Sequence, residues 1–230
     1  NGRSVAQPHD PNIFVTRLQE DGSWSKPEKL PDHINTPGNE ASVLIHPDGQ
    51  TLYFASDGHP GMGGLDLYVT RKQPDGSWGK PENLGYPINT FNDENSLLVS
   101  GDGEVAFFAS DREGGYGELD IYSFSMPEHL KPVGTTYMKG IVYDIIDKSK
   151  LGAAFELIDL ETNEVIVRSY SNWESGEFIL NIPKDHDYAL NVSKDGYLFY
   201  SKNFSLSGEA SKDDPFLMDV PLTLISDLAT

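Results

Sequence analysis

Apolar residues along this chain fall in short alternating runs broken by Gly, Asp, Asn and Pro, and no stretch carries the 3.6-residue rhythm of a helix of useful length. In the first half, residues 41–47 read as a strand. Asp48-Gly49 reads as a tight hairpin turn and 51–55 as a second strand. Residues 65–71 are a third, Asp75-Gly76-Ser77 turns the chain again, and 78–84 is a short fourth. From Tyr137 onward, further alternating strands are expected at 140–144, 154–159, 165–168, 176–182, 188–192, 199–204 and 216–224. Turn signals separate them every 8–12 residues or so, the pattern of a β-sandwich. The fold class expected is all-β.

The first half repeats itself. Trp24 recurs as Trp78, Asn35-Thr36 as Asn89-Thr90 and Glu40 as Glu94. Asp48-Gly49 recurs as Asp102-Gly103, Asp57 as Asp111, and Asp66-Leu67-Tyr68 as Asp120-Ile121-Tyr122, every offset being 54 residues without a gap. A fixed period of this size marks a repeat architecture. Four antiparallel strands per period are the make-up of a propeller blade. On that reading, residues 1–126 hold part of a β-propeller: a partial blade (1–34), a complete one (35–88) and one without its outer strand (89–126). Such a set cannot close a ring, which needs about 4–8 blades. Residues 127–136, with two prolines, a glycine and no periodicity, read as a linker. A sandwich at 137–224 and a tail at 225–230 follow. The chain begins at Asn1 without an initiator Met, so processing or truncation upstream is expected.

Several of these motifs also carry a resemblance. Pro-Asp-Gly at 47–49, Leu-Tyr-Phe-Ala-Ser-Asp at 52–57, Gly-Gly-Leu-Asp-Leu-Tyr at 63–68 and Phe-Phe-Ala-Ser-Asp-Arg at 107–112 resemble the TolB-type, WD-like propeller repeat. The Trp-x-x-Pro-x-x-Leu runs at 24–30 and 78–84 are similar to the version found in OmpA-family proteins of Gram-negative outer membranes. The order of motifs at 139–144, 153–159, 175–178, 183–190 and 194–199 resembles the carboxypeptidase regulatory-like domain, a transthyretin-like sandwich that is itself non-catalytic. Together the two halves are similar to outer-membrane-associated periplasmic proteins, a PorE-like branch of which belongs to the type IX secretion machinery. The resemblance implies other envelope proteins as partners. It also implies peptidoglycan contact only through an OmpA-like domain that lies outside this sequence.

Charge and composition narrow the field. With 17 Lys+Arg against 36 Asp+Glu the formal charge is −19, which excludes general nucleic-acid binding because that rests on neutralising phosphates with cations. About −11 falls in residues 1–126 and about −8 in 127–230, so the acidity belongs to two solvated surfaces and not to a tail. No apolar run approaches the ~20 residues of a membrane-spanning helix. Without cysteine, disulfides, thiolate metal sites and cysteine catalysis are impossible.

Catalytic signatures are missing. The six histidines (9, 33, 46, 59, 129 and 186) sit in no zinc-peptidase spacing, and no nucleophile elbow or phosphate-binding loop occurs. Asp57, Asp111, Asp66 and Asp120 recur at the same place in each repeat and are expected to cap turns, while Trp24 and Trp78 are expected to pack between blades. Asn89, Asn92, Asp93 and Glu94 are a weak calcium candidate, four oxygen donors in one loop; no other metal and no cofactor is expected. The loops at 57–65 and 111–119 diverge between repeats. A scaffold position should recur whereas a contact need not, so His59, Met62, Arg112, Glu113 and Tyr116 are expected on a partner-binding face. The function expected is a non-enzymatic protein-interaction scaffold, periplasmic and outer-membrane-associated. A carbohydrate-binding or glycoside-cleaving module is the alternative, and a calcium-stabilised adhesion module a third.

Overall fold

The computed structural model describes residues 11–17, 19, 23–206 and 216–228, and the chain divides into two compact units between Pro132 and Val133. In the first unit the strands are β1 (Phe14–Val15), β2 (Glu28–Lys29), β3 (Glu40–Ile45), β4 (Thr51–Ser56), β5 (Asp66–Arg71), β6 (Glu82–Asn83), β7 (Glu94–Val99), β8 (Val105–Ser110) and β9 (Asp120–Ser125). They form three antiparallel meanders: β1-β2, β3-β4-β5-β6 and β7-β8-β9. The repeat is kept down to its irregularities. Ser42 and Ser96, one period apart, both take a left-handed backbone (φ 49° and 55°) at a bulge in β3 and β7. Gly49 and Gly103 both turn their hairpins at φ 71° and 76°, a region open to glycine at little cost.

The four-stranded sheet is covered on both faces, which is why β4 is buried at every position. Leu52, Phe54 and Tyr68 pack with Ile13, Leu30 and Ile34 on one side. On the other, Tyr53, Ala55, Leu67 and Val69 pack with Leu97, Val99, Ala106 and Phe108. Each fully buried large side chain contributes about 1.5–3 kcal/mol relative to an exposed one, so this double burial is the main stabilising term of the unit.

Residues 1–126 are expected from the sequence to hold part of a propeller, in a set of blades too small to close. Among the described residues the sheets hold two, four and three strands, remain open meanders and close no ring. The fourth strand expected at 78–84 is reduced to Glu82–Asn83 with a single bridge from Trp78 to Lys72. Pro81, which has no N–H to donate, interrupts the ladder between them. The segment expected as a linker is docked. Glu128–Leu130 forms a 3-10 turn, Leu130 is buried, the Tyr53 hydroxyl donates to Leu130 O at 2.7 Å, and Arg71 Nη2 donates to His129 O at 3.0 Å. Lack of periodicity marked this stretch as irregular, but not as unpacked.

The second unit contains β10 (Thr135–Asp144), β11 (Ala154–Asp159), β12 (Val165–Tyr170), β13 (Glu177–Pro183), β14 (Asp187–Ser193), β15 (Tyr200–Ser205), β16 (Phe216–Leu217) and β17 (Val220–Leu222). One sheet runs β13-β10-β16 with β17 also on β10, both parallel to it; the other runs β12-β11-β14-β15. Alternation decides which residues enter the core. Phe155 and Leu157 of β11, Leu180 and Ile182 of β13, Leu190 and Val192 of β14, and Met138 and Val142 of β10 close one apolar cluster. Drawn from both sheets, it makes a two-layer sandwich. Asp219, between β16 and β17, accepts the Ile141 amide at 3.1 Å and so satisfies the ladder where it breaks. The expected tail at 225–230 is tied in part, since Ile225–Leu228 is a 3-10 turn whose Ile225 amide donates to Gly196 O. Among the described residues no helix is long and apolar enough to cross a membrane.

Candidate functional site

The loops at one end of the repeat sheets are built from a set of polar residues that recurs at the 54-residue spacing. Asn89 is fully buried; its Oδ1 accepts from Leu67 N at 2.8 Å and its Nδ2 donates to Leu67 O at 2.9 Å. Asn35 treats Ile13 in the same way, at 2.6 and 3.1 Å. Glu94 and Glu40 are the buried carboxylates beside them. Glu94 accepts from Thr90 N (2.8 Å), Thr90 Oγ1 (2.7 Å) and Ser110 Oγ (2.8 Å); Glu40 accepts from Thr36 N, Thr36 Oγ1 and Ser56 Oγ at 3.0, 2.7 and 2.9 Å. Enclosed and fully engaged carboxylates of this kind hold a loop; their lone pairs are not free to meet a substrate.

The four repeated aspartates fix the neighbouring loops. Asp57 Oδ1 accepts from Asn39 N at 2.7 Å, and Asp111 Oδ1 from Asp93 N at 3.0 Å. The Asn39 amide holds the Asp57 carboxyl below its ordinary range. Asp66 Oδ2 accepts from Met62 N at 2.6 Å, and Asp120 Oδ2 from Tyr116 N at 2.7 Å. Burial pushes Asp66 above the ordinary value, with the Met62 and Gly63 amides pulling the other way.

Of the five residues expected on a partner-binding face, two turn inward. His59 Nε2 hydrogen-bonds Ile34 O at 2.9 Å, with its ring 5.7 Å from Phe54 and 5.0 Å from Tyr68. Arg112 Nη2 donates to Ile88 O at 2.6 Å, and its guanidinium lies 4.9 Å from the Phe108 ring and 5.0 Å from Tyr122. These three partners of Arg112 are those of His59 moved by one period. The two residues are therefore equivalent in space although they are out of step by one in sequence, and their divergence reflects one structural task met in two ways.

The other three stay at the surface. Met62 and Glu113 line a cleft of about 380 Å³ together with Tyr86, Pro87, Thr90, Phe91, Asn92 and the flank of Arg112. Tyr116 projects fully into solvent and does not line it. Tyr86 and Phe91 form the apolar walls, at 77% and 74% exposure, and the sequence reading passed over both. Their signal was present: one period earlier stand Asp32 and Pro37, so the divergence used for the 57–65 loop would have found them in the 85–91 loop too. A larger hollow of about 660 Å³ lies on the outer face of the sandwich, where the β10 ladder passes from β16 to β17.

The residues of the calcium candidate are largely engaged in the loop's own hydrogen bonds, while Asn92 Oδ1 is buried without a partner. Asn89 and Glu94 are committed as described, Asp93 Oδ1 accepts from Leu65 N at 2.9 Å, and Asn92 donates to Asp111 O. Among the described residues no group of three or more His, Asp or Glu side chains stands close enough to share an ion. The two tryptophans also part company. Trp78 packs against the cluster of Ile13, Leu30 and Phe54 with Lys72 over its ring, whereas Trp24 is 66% exposed and buries little.

No family model matches the chain, and no curated protein matches it. Among solved structures it is similar to the group B streptococcus pilus 2b backbone protein, with 11% identity over 82% of this chain and 99% of that one at a TM-score of 0.36. The Bacillus anthracis TIE protein matches with 11% identity over 96% of this chain and 50% of that one, TM-score 0.34. A C-terminal fragment of the pilus adhesin SpaC from Lactobacillus rhamnosus GG matches with 15% identity over 97% and 92%, TM-score 0.28. At such scores the likenesses define neither fold nor function. They overturn nothing by themselves. The resemblance to OmpA-family proteins with TolB-type repeats and a carboxypeptidase regulatory-like domain is corrected by the lack of any matching family model, and the type IX secretion assignment falls with it.

Proposed function

We propose that this chain is a non-enzymatic interaction module, and that the cleft between Met62, Tyr86 and Phe91 is where its first unit engages a protein partner. The observation that carries the reading is a pair of exposed aromatic walls mounted on loops braced by the hydrogen bonds of Asn89, Glu94 and Asp111. Large, rigid side chains on a fixed frame lose little entropy on binding and serve as anchors. Glycoside cleavage needs two carboxyl groups flanking the bond, and among the described residues Glu113 is the one carboxylate lining this cleft. The reading carries with it a secreted or envelope location, of which the periplasmic, outer-membrane-associated one is the finer form. Other envelope proteins are then the partners.

The test is a photo-crosslinking side chain placed at Phe91 in the native host, with a second probe at exposed Glu174 as control, followed by cell fractionation. A partner captured from Phe91 alone, whose purified form binds the Phe91→Ala and Tyr86→Ala variants at least ~10-fold more weakly, supports the reading. Unchanged affinity in both variants, or tight binding of a simple sugar at the cleft, defeats it.

A further inference from the structure

The repeat leaves one piece of the first unit unpaired. In two successive periods a segment of the form Leu-x-x-x-Ile-Asn follows the outer strand and seals the end of the strand before it. Leu30 N donates to Ile13 O and Leu84 N to Leu67 O, both at 3.0 Å. Asn35 and Asn89 then clamp the amide and carbonyl of those same residues, while Leu30, Ile34, Leu84 and Ile88 enter the cores. The third copy of that strand is β9, and Ile121 stands where Ile13 and Leu67 stand, in the same register against β8 as Leu67 holds against β4. There the sheet ends, and among the described residues no strand pairs with β9 on that side. The described residues do not supply one, and the chain turns away after Ser125. Met126 donates to Glu104 O, and Leu130 is drawn into the core with its carbonyl held by Tyr53.

The face beside this edge is apolar and bare. Ile121 is 81% exposed, and Leu98, Phe107 and Leu119 are exposed around it. Their counterparts one period earlier are Leu67 and Tyr53, both fully buried, with Leu44 and Leu65 packed on the same cluster. Sequence-equivalent positions therefore differ in whether something covers them; in the internal copy Leu84 and Ile88 of the Leu-x-x-x-Ile-Asn segment lie on the cluster together with Leu97, Val99, Ala106 and Phe108 of the next sheet.

We propose that the β9 edge and its apolar face receive an extended segment of a partner protein with the pattern Leu-x-x-x-Ile-Asn. It adds as an outer strand, its Leu and Ile lying over Ile121 and its Asn clamping the Ile121 backbone. Strand addition gives affinity through main-chain hydrogen bonds and specificity through alternate side chains. The site is separate from the Met62–Phe91 cleft and does not depend on it.

The probe is a fluorescein-labelled synthetic peptide of residues 77–90, titrated with the full chain. The expected result is saturable binding that weakens at least ~10-fold when the peptide carries Leu84→Asp or Asn89→Ala, and at least ~10-fold when the protein carries Ile121→Asp. Because Ile121 is exposed, that variant should keep its circular dichroism and melting temperature. Should it not, Ser123→Pro removes a donor from the same edge and replaces it as the test. Equal binding of a scrambled peptide, no saturation at millimolar protein, or unchanged affinity in a folded edge variant overturns the proposal. So does a dimer in sedimentation that excludes the peptide and that Ile121→Asp dissolves, since the occupant is then a second copy.

Discussion

Arg112 Nη2 and Glu94 Oε1 meet at 3.2 Å, an ion pair with no counterpart around Glu40 among the described residues. The two glutamates are otherwise served by the same Thr amide, Thr hydroxyl and Ser hydroxyl. Since Glu40 stays buried on those three hydrogen bonds alone, Arg112 is not what keeps Glu94 inside. Arg112→Ala should therefore cost only about 1–2 kcal/mol, while Glu94→Ala, which orphans three donors and a cation, should cost about 3–5 kcal/mol. Urea unfolding of both variants checks this, and a larger loss from Arg112→Ala would contradict it.

The buried asparagines should behave as a matched pair. Asn35→Ala and Asn89→Ala each strand one backbone amide, of Ile13 and Leu67, whose carbonyls keep the Leu30 and Leu84 amides, so each should lower stability by about 1–3 kcal/mol. Thermal melts would show the result. A loss below ~1 kcal/mol in either would mean that water replaces the clamp.

Sequence-equivalent tryptophans should give unequal effects. Trp78→Ala removes a ring packed under Lys72 and should cost about 2–3 kcal/mol, while Trp24→Ala, at an exposed site, should stay within ~0.5 kcal/mol. Equal losses would show that Trp24 is covered in solution.

Acid should weaken both units. Burial pushes Asp48 up, but His46, the amides of Gln50 and Thr51 and the Thr51 hydroxyl together hold it below its ordinary value. In Asp159 burial is likewise outweighed, by the Thr162 and Glu161 amides and by His186. A depressed folded-state pKa gives stability that is present above the unfolded value of about 3.9 and lost as pH falls through the folded one. Asp66 runs the other way, because burial raises it: its contribution is present at low pH and lost as pH rises through its folded value. Between about pH 5 and pH 2.5, Asp48→Asn should lose less stability than the parent chain and Asp66→Asn more. Urea midpoints across that range decide it.

The second unit should fold without the first. Every member of its core cluster lies between Met138 and Leu222. A fragment of residues 133–230 should therefore show one cooperative unfolding transition by calorimetry. A gradual melt would mean that the unit depends on its neighbour.

How far the residues spoke for themselves differs from place to place. Alternation placed β3, β4, β5 and most strands of the sandwich close to where they lie, because a strand's two faces see different surroundings and the period of two is written in the side chains; β10 begins at Thr135, inside the stretch expected as linker and five residues before the expected start. The outer strand at 78–84 was overread, since Pro81 limits pairing in a way that the apolar pattern does not reveal. In the candidate site, Met62 and Glu113 were legible as divergent loop residues. Tyr86 and Phe91 were equally legible by the same comparison but stood in a loop to which it was not applied. His59 and Arg112 carry a structural task as well, which divergence alone does not reveal: two different side chains reach equivalent carbonyls one period apart.

By itself the amino-acid sequence determined that this protein is all-β, that its first half is built from a 54-residue unit, and that Asn, Thr, Glu and Asp recur where loops need them. Those properties are local or periodic, and a linear pattern can hold them. Only the tertiary structure decided which copies are covered. Leu67 and Ile121 occupy the same position in their repeats, yet one is sealed between two sheets and the other faces solvent. Burial belongs to what packs against a residue, and that depends on how many sheets stack and where the chain turns away.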